Sequence, residues 1–160
     1  MDKLENHLKE WIQTLGITNE YNQGPRCPYA KSARTKIVKC PDYNLLQFWA
    51  VVAEECEQFN KNHNDITIVA SNTIYDVHEI DSVVDALNIY LNVQNKDLWL
   101  LQSCNKDYSM VFIQSITEID NASKLLEATS YYDKMHPESF NKFVVRRRLL
   151  RNNLQRKTNE

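Results

Sequence analysis

Residues 65–71, Asp-Ile-Thr-Ile-Val-Ala-Ser, decide the fold. The run is rich in β-branched side chains and too short for a helix, so it reads as a buried strand. The chain on either side of it is helical in period. Upstream, Leu45, Phe48, Trp49, Val52 and Phe59 mark one face of a helix over 43–62, with Asp42 as its cap and Cys56 as a small core residue on the same face. Downstream, Ile80, Val83, Val84, Leu87 and Leu91 mark another over 78–93. Thr35 to Cys40 supplies a strand before the first of these helices and Asp97 to Cys104 one after the second. Two strand–helix–strand units in succession predict three parallel neighbours. Tyr108 to Gln114 then pairs back across Asn105-Lys106-Asp107 as an antiparallel hairpin edge.

The ends complete the pattern. Leu4, Leu8, Trp11, Ile12 and Leu15 give an amphipathic helix over 2–15, stopped at Gly16. Ser115-Ile-Thr-Glu118 has the form of a capping box opening a helix to about 130. Pro137 opens the last helix, with Phe140, Phe143, Val144, Leu150 and Leu154 on its docking side. The expectation is an α/β fold bordering on α+β, one domain over 1–160, with about four strands covered by helices. The basic helix at 137–155 packs on that domain, and Phe48 and Trp49 lie under the sheet.

A chain of 160 residues is long enough for one sizeable core, and 42% apolar with 25% charged residues places it in the globular class. No apolar run approaches the roughly 20 residues of a membrane span, and the N-terminus lacks the apolar core of a signal peptide, so a cytoplasmic location without membrane attachment is expected. Cys27, Cys40, Cys56 and Cys104 form no CxxC pair and share no ligand spacing with the histidines, which speaks against a metal site. With two glycines in the chain, no phosphate loop of the Walker or dinucleotide type is present, and the sequence does not identify a cofactor.

Chemistry concentrates in two places. Cys27 lies in Gly24-Pro-Arg-Cys-Pro-Tyr-Ala-Lys-Ser-Ala-Arg34, where Arg26, Lys31 and Arg34 would stabilise a thiolate. It is the candidate catalytic residue, against a reading as a small apolar plug for the loop. Arg26, Lys31, Ser32 and Arg34 could hold a small anionic ligand, and Asp107 and Tyr108 join them as ligand-binding candidates. Cys-Pro-Tyr-Ala is similar to the glutaredoxin Cys-Pro-Tyr-Cys, but it leads into a strand rather than a helix, and Ala30 replaces the resolving cysteine.

The second place is the tail. Residues 139–160 hold seven cations against Glu160, about +6, leaving the rest of the chain about −8. That segregation suggests an interaction surface for nucleic acid or an acidic protein, through Arg146, Arg148, Arg151 and Arg156, with Arg147 nearer the apolar side. The alternative is a solvated helix whose arginines pair with the acidic remainder, and a purely structural or assembly role stays open beside both. Oligomeric state is not legible.

Trp11 to Gly16, Cys27-Pro-Tyr-Ala-Lys31 and Gln102-Ser-Cys-Asn-Lys-Asp-Tyr108 together resemble an uncharacterised bacterial family. Its members carry Leu-Cys-Pro-Phe-Ala after an N-terminal helix and Ser-Phe-His-Pro-Asp-Tyr later. The resemblance covers roughly residues 8–115 and implies Cys27, Asp107 and Tyr108 as site positions of unassigned role. Asn105 and Lys106 stand where that family has histidine and proline, and its later Asn-Arg-Ser-Pro-Tyr-Pro segment has no counterpart.

Overall fold

The computed structural model describes residues 3–15, 29, 32–40, 44–61, 63–104 and 107–159. Gly16, Asp42 and the segment holding Arg26, Cys27 and Lys31 lie outside the described residues.

Helix α1, Lys3–Leu15, buries Leu4, Leu8 and Ile12, one residue per turn. Strand β1, Thr35–Lys39, leads to α2, Leu45–Gln58, whose start is capped by Asn44: its Oδ1 accepts the Gln47 N–H at 3.1 Å. Strand β2, Ile66–Ser71, follows a 3-10 turn over Phe59–Lys61. Helix α3, Val77–Val93, begins at Asp76, whose carboxylate accepts the Glu79 N–H. Strands β3, Trp99–Cys104, and β4, Ser109–Gln114, form a hairpin. Helix α4, Ile116–Glu127, starts at the expected cap, the Glu118 N–H donating to Ser115 Oγ. Asp97 adds a clamp there, accepting bonds from the Ser115 hydroxyl and from the Thr117 N–H and hydroxyl. After Pro137–Phe140 (α5) the chain passes through a π-helical turn at Asn141–Val145 into α6, Arg146–Thr158. The helix expected to end near 154 therefore continues to Thr158.

Alternation along the strands separates two apolar faces. Val69, Val111, Leu100 and Ile113 meet Phe48 and Val52 of α2 and Ile80, Val84 and Leu91 of α3. Ile68, Ala70 and Met110 meet α1 on the opposite face. Phe48 is fully buried, while Trp49 is half-buried and packs against that cluster from outside. The described residues form one α+β domain around a four-stranded mixed sheet.

The strand order is β1-β2-β4-β3, which corrects the expected run of three parallel neighbours. β1 and β2 are parallel, but β4 inserts between β2 and β3, antiparallel to both. β3 keeps the direction of β1 and β2 and takes the outer edge. The physical reason lies in how far the apolar run extends along each strand: β3 opens on buried Trp99 and Leu100 but turns polar at Gln102-Ser103, whereas β4 stays apolar from Met110 to Ile113. Met110, Val111 and Ile113 are all buried, so this strand is covered on both faces and belongs inside the sheet.

Candidate functional site

In open sheets with parallel strands, ligands bind beyond the carboxyl ends of the strands. Here that edge comprises the ends of β2 and β3 and the start of β4, where Ser71 and Cys104 both face Ser109 in register. The Ser109 hydroxyl accepts the Tyr75 N–H at 2.9 Å, and Ser71 Oγ accepts the Thr73 N–H at 3.1 Å, so two buried hydroxyls fix the 72–76 segment at this edge. Tyr108 precedes β4, with exposed Asp107 beside it. Its ring packs partly against the α1 cluster, and its hydroxyl lies 2.8 Å from Nδ1 of His7. The two rings meet edge to face at 5.3 Å.

His7 reaches this position because it adjoins Leu8 on α1, whose apolar side is fixed to the sheet. The sequence carries no signal for it: His7 falls among the polar residues of an ordinary amphipathic helix, and its partner is 101 residues away. The pair is chemically versatile. A neutral imidazole protonated on Nε2 accepts the phenol proton at Nδ1, whereas a protonated ring donates from Nδ1 to the phenol oxygen. The first leaves the Nε2–H free to donate, and the second leaves both the Nε2–H and the phenol O–H.

The other expected ligand groups lie elsewhere. Arg34 stands at the amino end of β1 and grips Asp65 through Nε at 3.2 Å, Nη2 at 2.9 Å and its own backbone N–H at 2.8 Å. The Asp65 carboxyl is held below the usual carboxylate range first by the Arg34 side-chain hydrogen bonds and then by the backbone bond. The Ser32 hydroxyl donates to the Tyr29 carbonyl within a turn. Arg34 and Tyr108 thus mark opposite ends of the sheet, about 23 Å apart along the strand direction at roughly 3.3 Å per residue. The structure does not bring Arg34 and Ser32 together with Asp107 and Tyr108.

Of the cysteines, Cys40 is fully buried and Cys56 half-buried. Burial pushes the Cys56 thiol up to about 12, with Glu57 and Glu55 adding to the effect. Thiolate is the reactive form, so native protein treated with iodoacetamide at pH 8 should keep Cys56 unmodified. Labelling of Cys56 as fast as in urea would contradict that environment. Among the described residues, no group of three or more His, Cys, Asp or Glu side chains is placed to hold a metal ion. Nor is any described helix long and apolar enough to cross a membrane.

The C-terminal cations are largely taken up inside the domain. Lys142 pairs with Asp81 at 2.7 Å and Arg146 with Asp85 at 3.0 Å, both across to α3. Asp120 on α4, fully buried, draws four more cations. Arg151 Nη1 lies at 2.7 Å, Arg148 Nε at 3.4 Å, Lys124 Nζ at 3.5 Å and Arg147 Nε at 3.9 Å. Arg148 also grips Glu127, and Arg151 donates to the Asn121 side chain. Arg151, expected on the exposed side, is instead buried, because the helix turns it onto Asp120. Arg147, expected nearer the apolar side, is buried. Burial lowers the Arg147 pKa, with Tyr132 and Asp120 opposing, and its Nε and Nη2 find no hydrogen-bond partner among the described residues. Arg156 is exposed.

No family model, no curated protein and no solved structure matches this chain. The family resemblance through 27–31 and 102–108 therefore stands on those short motifs alone.

Proposed function

We propose that the protein binds a small polar ligand at the carboxyl edge of its sheet, with the His7–Tyr108 pair as the recognition group and Asp107 beside it. Independently of that edge, Cys27 is proposed as a reactive thiol on the strength of its cationic sequence neighbours Arg26 and Lys31. The observation that carries the reading is the imidazole–phenol pair, held across the fold by α1 and placed where open sheets take their ligands. A phenol and an imidazole suit oxygen-bearing metabolites, since each can donate or accept a hydrogen bond.

A panel of small carboxylates, phosphates and sugars, titrated against isotopically labelled protein, tests the first part. Amide shifts should cluster at His7, Asp107 and Tyr108 and vanish in His7→Phe and Tyr108→Phe. Each variant removes one exposed hydrogen bond, so stability should fall by no more than about 0.5–1.5 kcal/mol. Shifts that map elsewhere, or persist in both variants, would remove the site. Cys27 is tested separately by site-resolved alkylation: a thiol beside Arg26 and Lys31 should titrate below about 8.5.

Contact of the C-terminal helix with nucleic acid or an acidic protein has less in its favour. Arg146, Arg148 and Arg151 each already hold a carboxylate, which leaves Arg156 and Lys157 as the cations such a partner would meet.

A further inference from the structure

The outer face of α3, on the far side of the sheet from His7, is apolar where an outer helix face is ordinarily polar. Ile89, Tyr90 and Val93 are 49%, 59% and 60% exposed, and with exposed Ala86 they follow the i, i+3, i+4, i+7 spacing of a helix that docks on another. The neighbouring helix extends this surface. Asp81 meets Lys142, Asp85 meets Arg146, and the Asn92 amide donates to the Leu150 carbonyl, so α3 and the C-terminal helix run side by side in the same direction. One turn beyond the Asp85–Arg146 pair stand Ile89 on α3 and Leu149 on α6, the latter 62% exposed, with Val145 just before it. Contiguous apolar surface of this kind marks an interaction site more often than a solvated face.

We infer that this face docks on a second copy of the chain, related by a two-fold axis that lies in the face near Ile89 and Leu149, tilted about 20° from the perpendicular to α3 and α6. The charges at its two ends select that occupant. Helix α3 carries Glu79, Asp81 and Asp85 and no lysine or arginine, whereas α6 carries five arginines and Lys157 and no acid. Asp81 and Asp85 are paired within the chain, but Glu79, Arg156 and Lys157 have no ion-pair partner among the described residues. At about 1.5 Å per residue, Glu79 lies about 9 Å to one side of the Asp85–Arg146 level and Arg156 about 15 Å to the other. A two-fold axis between them exchanges these ends. With α3 and α6 about 8–10 Å apart side by side, the tilt of about 20° sets Glu79 of each copy opposite Arg156 and Lys157 of the other, while the apolar centres meet. An isologous interface needs such self-complementary halves, and a single-sign surface would repel its own copy.

Sedimentation equilibrium of the full chain tests the arrangement, at concentrations up to about 1 mM so that even weak association registers. The expected result is a monomer–dimer equilibrium. Val93→Glu, at an exposed position, should abolish the dimer with the circular dichroism spectrum and unfolding midpoint retained. Glu79→Lys alone, and Arg156→Glu with Lys157→Glu, should each weaken the dimer about tenfold, and the three changes together should restore it. A wild type that stays monomeric throughout overturns the proposal, and so does a dimer that Val93→Glu leaves intact. Charge reversals that fail to rescue one another overturn the two-fold arrangement. Capture of the face by an acidic amphipathic peptide while the chain stays monomeric would assign it to a different partner.

Discussion

Asp120→Ala is expected to lower unfolding free energy by about 3–5 kcal/mol, the usual cost of removing one partner from a buried ionic group. For a domain stable by about 5–15 kcal/mol, this is a large share of the whole. The reason is asymmetry. Asp120 is a single buried carboxylate serving Arg147, Arg148, Arg151 and Lys124, and Arg147 and Arg151 are themselves buried. Without the carboxylate, both guanidiniums keep their desolvation cost and lose their counter-charge. Adding Arg147→Met should recover part of the loss, because an apolar side chain of similar length needs no partner. A double variant no more stable than Asp120→Ala would show that Arg147 does not depend on Asp120.

Acid should reveal the same dependence. Burial pushes the Asp120 carboxyl up, but the Arg151 hydrogen bond and the charges of Arg148, Lys124 and Arg147 more than reverse this, leaving it below its ordinary value. A carboxyl depressed in the folded state binds protons more readily when unfolded. Its stabilisation is therefore complete above the unfolded value of about 3.9 and is lost as pH falls through the lower folded value. Asp65, held down by Arg34, contributes in the same direction. Urea midpoints of wild type should thus fall more steeply below pH 4 than those of the Asp120→Ala, Arg147→Met variant.

The elements were legible and their arrangement was not. Ser115–Glu118, Pro137 and the β-branched run at 66–71 act through local hydrogen bonding and backbone preference, so the sequence alone places them to within a residue or two. Strand order depends on which faces end up covered. The apolar runs Leu98 to Leu101 and Met110 to Ile113 look alike in the sequence, so neither strand announces which of them takes the edge. Helix α2 starts at Leu45 with Asn44 as its cap, two residues later than the expected start at 43. The tail's charge was plain in the sequence, but its destination was not: Asp81, Asp85 and Asp120 are scattered in sequence and adjacent only in the fold. His7 was invisible for the same reason.

Asn88 is the other residue whose loss should be severe. β3 is the edge strand, so the backbone groups it turns away from β4 have no strand to pair with. At Leu100 the Asn88 side chain fills that role: Oδ1 accepts the Leu100 N–H at 2.7 Å, and Nδ2 donates to the Leu100 carbonyl at 2.9 Å, all buried. The side-chain amide stands in for the next strand, tying α3 to the sheet and blocking the edge against a second chain. Asn88→Leu keeps the bulk and removes both bonds, leaving two buried backbone groups unsatisfied at about 1–3 kcal/mol each, or about 2–6 kcal/mol together. Asn88→Asp should be no milder. It can still accept from the N–H, but it sets a carboxylate oxygen against the Leu100 carbonyl, where the native amide donates. Hydrogen exchange at the Leu100 amide reads the effect directly and should accelerate in Asn88→Leu along with the fall in the urea midpoint. An edge opened in this way should also make the variant aggregate at concentrations the wild type tolerates. If the Leu100 amide stayed as slow in Asn88→Leu as in wild type, another group would be protecting that edge, and Asn88 would be dispensable to the sheet.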